Sequence, residues 1–323
     1  MGKSRRKRYL LFMAAGLMTV AALFAADILC GEIPLKDILE GDMARDIILG
    51  VRFPRALTAA IAGAALAYSG AQMQAVFRNP LADPHIMGVS GGAGTGAAIA
   101  TMALTGHAAA WGGMAVATAA FVGAAAASML ILAVSARTRN GATLLLFGVM
   151  LGFIFSAITS VMEYSANESS LKAFYSWSAG SFSMTGPGQA VLLAIAAAAG
   201  FIPAIFNVRG LDLILFGDEY AEISGSSVRR TRLLAMTSCC LATGAVTAFC
   251  GPIGFVGIVA PHISRWITGT SVHRKIIPAS LVTGMAICLA ADILSHAGGL
   301  LLPAGSMTAI IGIPVILLIL LRK

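Results

Sequence analysis

The chain has 323 residues, of which 58% are hydrophobic and only 11% are charged. A soluble domain carries about 25% charged residues, so this composition excludes a large soluble fold, which could not keep so much apolar surface from water. The net charge of +8 does not favour nucleic-acid binding, because membrane proteins concentrate lysine and arginine in short cytoplasmic loops. We therefore expect one integral membrane domain over residues 1–323.

Ten apolar segments follow one another along the chain, most of them near the roughly 20 residues that a helix needs to cross a bilayer. They predict an all-α integral membrane fold with about ten transmembrane helices. Many are rich in glycine and alanine, which let helices pack closely inside lipid. The segments are approximately 9–29, 54–77, 85–105, 110–135, 142–165, 187–206, 230–250, 252–268, 276–296 and 302–321.

The first segment follows five basic residues and could also be part of a signal peptide, which has a charged start and an apolar core. The run from Tyr9 to Ala26 is long for such a core, and further apolar segments follow it. We therefore expect a retained first helix.

The positive charges predict the orientation. With the N-terminus inside and the segments alternating, 17 of the 22 lysines and arginines fall at inner ends and only 5 at outer ends. This bias follows the positive-inside rule and puts both termini in the cytoplasm. The outer residues are Lys36, Arg45, Arg52, Arg55 and Lys172.

Two external segments are predicted, at residues 30–53 and 166–186. The second contains Tyr175 and Trp177, which suit the headgroup boundary. The longest internal loop, residues 207–229, holds an acidic cluster on the otherwise basic side. Residues 218–225 could form a short helix ended by Gly225, as in a docking surface, although a plain solvated connector is the alternative.

An internal repeat relates Gly63-Ala-Ala-Leu-Ala-Tyr-Ser-Gly70 to Gly244-Ala-Val-Thr-Ala-Phe-Cys-Gly251. The two segments run in opposite directions under the predicted topology. They therefore predict inverted-repeat character, a common design of transporters.

Nucleotide-binding and catalytic motifs are missing from the sequence. It contains no GxxxxGK[ST], HExxH or GxSxG pattern, so the energy source must be a partner protein or an ion gradient. The ionisable candidates for ion coupling are Glu163, His262 and Asp292. Asp292 could bind a proton or cation, but we favour a structural carboxylate that is buried or lies near the outer mouth and is hydrogen-bonded to a neighbouring helix.

The five cysteines, Cys30, Cys239, Cys240, Cys250 and Cys288, show no metal-ligand spacing. Most lie in apolar stretches, so we expect inert buried thiols and no metal site.

Several motifs together resemble the FecCD-type permeases, the membrane subunits of type II ABC importers for siderophores, haem and vitamin B12. The resemblance covers nearly the whole chain, in order. Its motifs are Arg52-Phe-Pro-Arg55, Arg78-Asn-Pro-Leu-Ala-Asp-Pro84, Gly88-Val-Ser-Gly-Gly-Ala-Gly94, Gly251-Pro-Ile-Gly-Phe-Val-Gly257, Ala260-Pro-His262 with Arg265, Ala291-Asp292, and Leu302-Pro-Ala-Gly305 with Thr308 and Gly312.

The resemblance implies that Arg52 and Arg55 are exposed arginines that pair with glutamates of a substrate-binding protein. Anchoring at the membrane interface is the alternative for both. Some family members carry a third external arginine where this chain has His296. Docking at that point would be weaker or would depend on pH, because histidine titrates near neutral pH.

The resemblance also implies two cytoplasmic elements, a loop that couples the permease to an ATPase and a gate at the inner end of the second helix. The gate includes the turn near residue 141. The coupling-loop residues are Gly217, Asp218, Glu219, Ala221, Glu222, Gly225, Arg229 and Arg230. The gate residues are Asn79, Pro80, Leu81, Gly141 and Ala142.

The function that these patterns favour is that of an importer permease carrying an iron chelate, siderophore or haem, in the bacterial inner membrane. A vitamin B12 importer and an ion-coupled secondary transporter are the alternatives. The expected partners are ATPase subunits, a substrate-binding protein and a second permease copy, with no nucleic acid. We expect no cofactor on this chain, with ATP and Mg bound and hydrolysed on the partner ATPase.

Overall fold

The structure is a computed structural model that describes residues 3–29, 31, 44–103, 113–138, 140–296 and 302–321. Every regular element in these ranges is a helix, and seven of the described helices are long and apolar enough to cross a membrane. The predicted all-α membrane fold is confirmed to this extent. The count of ten spans, the inverted repeat and the cytoplasmic side of the termini stay predictions.

The α-helices of six residues or more are labelled in chain order. They are α1 Lys3–Leu29, α2 Phe53–Val76, α3 Val89–Ala98, α4 Gly113–Arg137, α5 Gly141–Ser165, α6 Glu168–Ser178, α7 Pro187–Ile214, α8 Asp218–Ile223, α9 Val228–Cys250, α10 Val256–Thr268, α11 His273–Ser295 and α12 Ala304–Leu321. Shorter pieces are the helical turn Ala44–Ile47, the π-helices Ile48–Arg52 and Ile99–Ala103, and the 3₁₀ turns Pro84–Met87 and Phe182–Met184.

Local sequence explains where many of the helices begin. Asn140 and Asn167 cap α5 and α6, each through a side-chain oxygen that accepts a hydrogen bond from a backbone N–H of the first turn at 2.9 Å. Ser227 caps α9 in the same way. Pro54 and Pro187 stand in the first turn of α2 and α7, where a missing N–H is harmless.

Helix α2 lies at the centre of the molecule and packs against α7, α9, α10 and α11. Glycine makes the closest of these contacts possible. A Cβ atom at Gly63 would overlap the backbone carbonyl of Gly284 on α11, and one at Gly70 would overlap the backbone of Gly257 on α10. Small residues thus let the backbones approach where the hydrophobic effect gives no help between helices.

One of the ten predicted spans is shorter than expected. The segment predicted at 85–105 contains α3, which continues into the π-helix Ile99–Ala103 at the edge of the described residues, whereas the segment predicted at 252–268 contains only α10, with 13 residues. A helix of 13 residues is about 20 Å long, whereas the hydrocarbon layer is about 30 Å thick. The chain before α10 is non-helical from residue 251 because Gly251 has a positive φ of 72° and Pro252 follows it.

The internal loop predicted at residues 207–229 is also corrected. Helix α7 continues to Ile214, and α9 already begins at Val228. The prediction was wrong because Asn207 and Asp212 look like loop residues, yet both are bonded to neighbouring helices. Asn207 donates to the carbonyl of Thr231 at 2.8 Å, and Asp212 accepts from the backbone N–H of His273 at 2.8 Å.

The external segments differ from the prediction as well. Residues 44–52, predicted as loop, are helical, and most of residues 30–43 lie outside the described ranges. Residues 168–178 form α6, in which Tyr175 is exposed but Trp177 is buried against Phe174. Trp177 is therefore a core residue of the protein, and its place at the headgroup boundary stays a prediction.

The predicted burial is confirmed for the four cysteines that the structure describes, Cys239, Cys240, Cys250 and Cys288. Cys30 lies outside the described residues. Arg139, Arg322 and Lys323, which entered the orientation prediction, also lie outside them.

Candidate functional site

A buried charge cluster joins α1, α2 and α11. Arg55 on α2 is only 4% exposed. Its Nε atom lies 2.9 Å from Oδ2 of Asp292, and its Nη2 atom lies 3.3 Å from Oδ1 of Asp27. The same Nη2 donates to the backbone carbonyl of Asp27 at 2.9 Å. Asp292 is thus buried and bonded to a neighbouring helix, as expected, and its structural role stays a prediction.

Arg52 is buried as well, at 3% exposed. Its Nη1 donates to the carbonyls of Ile28 at 3.2 Å and Leu29 at 3.1 Å. These are the last residues of α1, whose carbonyls have no partner within the helix. The predicted exposure of Arg52 and Arg55 is therefore wrong, because their guanidinium groups bond to a helix end and to buried carboxylates within the chain.

His296 occupies the end of α11 beside the same cluster and is 8% exposed. Its Nδ1 atom lies 2.9 Å from the carbonyl oxygen of Asp292 and 2.8 Å from the hydroxyl of Ser295. Its Nε2 atom lies 3.3 Å from the hydroxyl of Ser183. The Nδ1 atom also lies 3.6 Å from Oδ1 of Asp292, so Arg55 and His296 both approach this carboxylate.

Asp27 is the member of this cluster that sequence reasoning missed. It was counted as part of the first apolar span, although a carboxylate near the end of such a span must find a partner. The signal was therefore present in the sequence, but the partner lies on α2, 28 residues further along.

The predicted coupling loop forms a short helix, as expected. Gly217 precedes α8 with φ of 117°, and Gly225 follows it with φ of 79°, a conformation that favours glycine. Ala221 faces inward and packs with Ile214 and Val228. The opposite face of α8 and the turn before it are exposed, and the exposed side chains there are Leu215, Phe216, Glu219, Tyr220, Glu222 and Ile223.

Asp218, the first residue of α8, bonds to two arginines. Its Oδ1 lies 3.1 Å from Nη2 of Arg78, which follows α2, and its Oδ2 lies 2.7 Å from Nη2 of Arg232 on α9. Arg229 and Arg230 are exposed on the first turn of α9, and neither forms an ion pair within the described residues. Arg232, by contrast, is fully buried.

The residues predicted as a gate lie near this ion pair. Asn79 begins a tight turn after α2, in which its side-chain oxygen accepts from the backbone N–H of Leu81 at 2.9 Å. Gly141 lies against the last turn of α2, since a Cβ there would be 3.4 Å from the carbonyl oxygen of Val76. Pro80 and Ala142 are exposed. The structure brings the two halves of the predicted gate together.

Within the described ranges, no group of three or more histidine, cysteine, aspartate or glutamate side chains is arranged to hold a metal ion.

Comparison with known proteins identifies the family. A family model described as the FecCD transport family matches residues 10–322. The vitamin B12 import system permease protein BtuC of Klebsiella pneumoniae is 34% identical over 326 residues, covering 99% of this chain and 96% of that protein. The hemin transport system permease protein HmuU of Yersinia pestis is 33% identical over 294 residues, covering 86% and 84%.

The fold is also found among solved structures. A chain assigned to the metal-chelate type of ABC transporter, in an inward-facing conformation, matches with a TM-score of 0.81 and 24% identity over 98% of this chain and 100% of that one. This chain therefore belongs to the FecCD transport family, and it is a multi-pass membrane permease of the type II ABC importers. The resemblance inferred from the sequence motifs is confirmed.

Proposed function

We propose that this permease carries an iron chelate, siderophore or haem, which a substrate-binding protein delivers to its outer side. The family includes relatives named for vitamin B12, hemin and iron(3+)-hydroxamate import. The order of the ligands rests on no residue of this chain, since four matching relatives are named for cobalamin or vitamin B12 and two for hemin or iron(3+)-hydroxamate. Vitamin B12 is the alternative. The bacterial inner membrane is the proposed location.

The observation that carries the importer mechanism is the construction of α8. One face is held to the protein by Ala221 and Asp218, while the other presents aromatic, aliphatic and acidic side chains to solvent. Ile223 is 88% exposed. Such a face suits insertion into a cleft of a partner, and we assign it to the ATPase.

The ATPase subunit would bind ATP and Mg and hydrolyse the nucleotide, while this chain binds no cofactor. Binding of the substrate cannot by itself drive net uptake, because a ligand shifts a conformational equilibrium only by its differential affinity. ATP hydrolysis on the partner would therefore bias the alternation between outward-open and inward-open states.

A second copy of the chain is proposed as the other half of the pathway. Helix α5 buries only Leu144, Gly148 and Leu151 within the chain, which leaves most of its apolar surface for lipid or another subunit. Symmetric dimers are common among oligomers. A non-identical permease is the other candidate partner.

The docking role of Arg52, Arg55 and His296 stays a prediction. Their burial favours an indirect contribution, in which they hold the outer ends of α1, α2 and α11 together beneath the docking protein.

ATP-dependent uptake into sealed proteoliposomes tests the proposal. The vesicles would contain the permease and its cognate ATPase, with the binding protein outside and a ferric siderophore, haemin and cyanocobalamin offered together. Iron accumulation that requires ATP supports the proposal, and extraction separates siderophore from haem. Cobalt accumulation without iron would assign vitamin B12 instead. Uptake that follows an ion gradient and needs no ATPase would favour a secondary transporter.

A further inference from the structure

The carboxylate of Asp218 connects three helices at the predicted inner end of the molecule. It belongs to α8, and its two oxygens bond to Arg78 after α2 and to Arg232 on α9, at 3.1 and 2.7 Å. The Arg232 side chain is only 2% exposed, whereas those of Asp218 and Arg78 are 33% and 45% exposed. One arm of the bridge is therefore buried in the protein, and the other lies at the surface.

The Arg78 arm leads directly to the predicted gate. Arg78 has a positive φ of 48°, a backbone conformation that residues other than glycine rarely adopt. Its N–H donates to the carbonyl of Ala75, and that of Asn79 donates to the carbonyl of Gln74, both at 3.2 Å. These bonds form the C-terminal cap for which glycine is the usual residue. An arginine is therefore held in a strained position at the residue that precedes the Asn79–Leu81 turn.

The Arg232 arm leads to the beginning of α5. Arg232 lies one turn into α9, and a Cβ atom at Gly141 would be 3.6 Å from its Nη2 atom. The guanidinium therefore occupies the space between Asp218 and the first residue of α5. Together, the two arms reach both halves of the predicted gate from the helix proposed to contact the ATPase.

Attachment of α8 to the protein does not depend on this bridge alone. Ala221 is buried between Ile214 and Val228, and its carbonyl accepts a hydrogen bond from Ser226 at 2.9 Å. Because this packing already holds α8 in place, Asp218 is not needed for that purpose alone. Its two partners, Arg78 and Arg232, connect α8 to other helices.

We propose that Asp218 is a positioning residue for transport, which transmits the movement of α8 to the last turn of α2 through Arg78 and to α9 and the start of α5 through Arg232. This inference rests on the proposed function, in which an ATPase moves α8. It predicts that variants without the bridge still bind the ATPase and hydrolyse ATP, but take up less substrate for each ATP hydrolysed.

The test compares Asp218→Asn and Arg78→Gly in the reconstituted transporter. Both should co-purify with the ATPase and hydrolyse ATP, whereas uptake per ATP should fall by about tenfold, a usual size for coupling between sites. Asp218→Glu should recover part of the loss, because it restores the charge. Arg137→Ala, which removes an exposed arginine from the end of α4, is the matched control and should keep wild-type coupling.

Arg78→Gly separates this proposal from a structural role. Glycine is the preferred residue at a left-handed cap, so the variant should fold at least as well as wild type. If Arg78 served only the fold, its uptake per ATP would be unchanged, and that result would overturn the proposal. It also decides the matter if Asp218→Asn does not fold.

Two further outcomes are informative. Loss of ATPase co-purification in Asp218→Asn would overturn the proposal in favour of direct docking by Asp218. Absence of ATP-dependent uptake in the wild-type complex would instead contradict the proposed function, so the two failures are distinguishable.

Discussion

Nε of Arg55 lies 2.9 Å from Oδ2 of Asp292, with both side chains almost completely buried. The guanidinium also contacts Asp27, so one positive charge holds two carboxylates from helices at opposite ends of the sequence. A buried charge that loses its partner is strongly destabilising, although replacement of an entire pair by apolar residues is often tolerated.

Replacement of Arg55 by methionine should therefore lower stability sharply. Removal of one partner of a buried ion pair costs about 3–5 kcal/mol, and here both Asp27 and Asp292 lose their positively charged partner. Thermal unfolding of the purified permease in detergent would measure the loss. Arg45→Ala, at an exposed arginine nearby in the chain, should stay within about 0.5 kcal/mol of wild type. Equal stability of the two variants would contradict the buried bridge.

Gly63→Ala should also destabilise the protein. Its Cβ would overlap the carbonyl of Gly284, which is backbone and cannot move aside without separating α2 from α11. Overpacking of this kind costs about 1–3 kcal/mol. The matched control is Gly94→Ala on α3, where nothing lies within 4 Å of the new methyl group. That variant should be neutral or slightly stabilising, and the difference in unfolding temperature between the two is the readout.

Ile223→Asp should weaken association with the ATPase and leave the permease folded. The side chain is exposed and belongs to the apolar part of the α8 face, where a buried anchor commonly contributes about 2 kcal/mol or more to binding. Co-purification of the two subunits would measure the effect. Val272→Ala, at an exposed side chain just before α11, should bind normally. Unchanged binding of the ATPase by Ile223→Asp would show that the exposed face of α8 is not the docking surface.

The four described cysteines should not react with a bulky, water-soluble maleimide in the folded protein. Cys239, Cys240, Cys250 and Cys288 are all buried, and reaction requires an accessible thiolate. Mass spectrometry of a Cys30→Ser variant should find no label before denaturation and up to four labels after it. Labelling of any of the four in the native state would mean that the helices around that thiol open.

Local features could be predicted from the sequence where one segment determines them. The short helix α8 and its terminal Gly225 follow from a glycine, an acidic first turn and a single buried alanine. The burial of Asp292 follows from its place in an apolar span. The family could be predicted because its motifs are short runs of particular residues that occur in the same order along nearly the whole chain.

Features that depend on distant segments could not be predicted in this way. The burial of Arg52 and Arg55 depends on the end of α1, and the extension of α7 depends on contacts of Asn207 and Asp212 with α9 and α11. In each case a polar side chain looks exposed in the sequence, because its partner lies far away along the chain.

The break before α10 has a consequence for the stretch that follows α6. Hydrocarbon offers no hydrogen bonds to a non-helical backbone, so such a segment must be covered by protein. Here the backbone N–H of Ser181 donates to the carbonyl of Cys250 at 2.8 Å, and that of Ala304 donates to the carbonyl of Gly180 at 3.0 Å. The stretch after α6 thus covers the start of the broken segment and ties it to the beginning of α12. An insertion at Gly180 should disturb both contacts, because a Cβ atom there would already lie 2.9 Å from the carbonyl oxygen of Pro252.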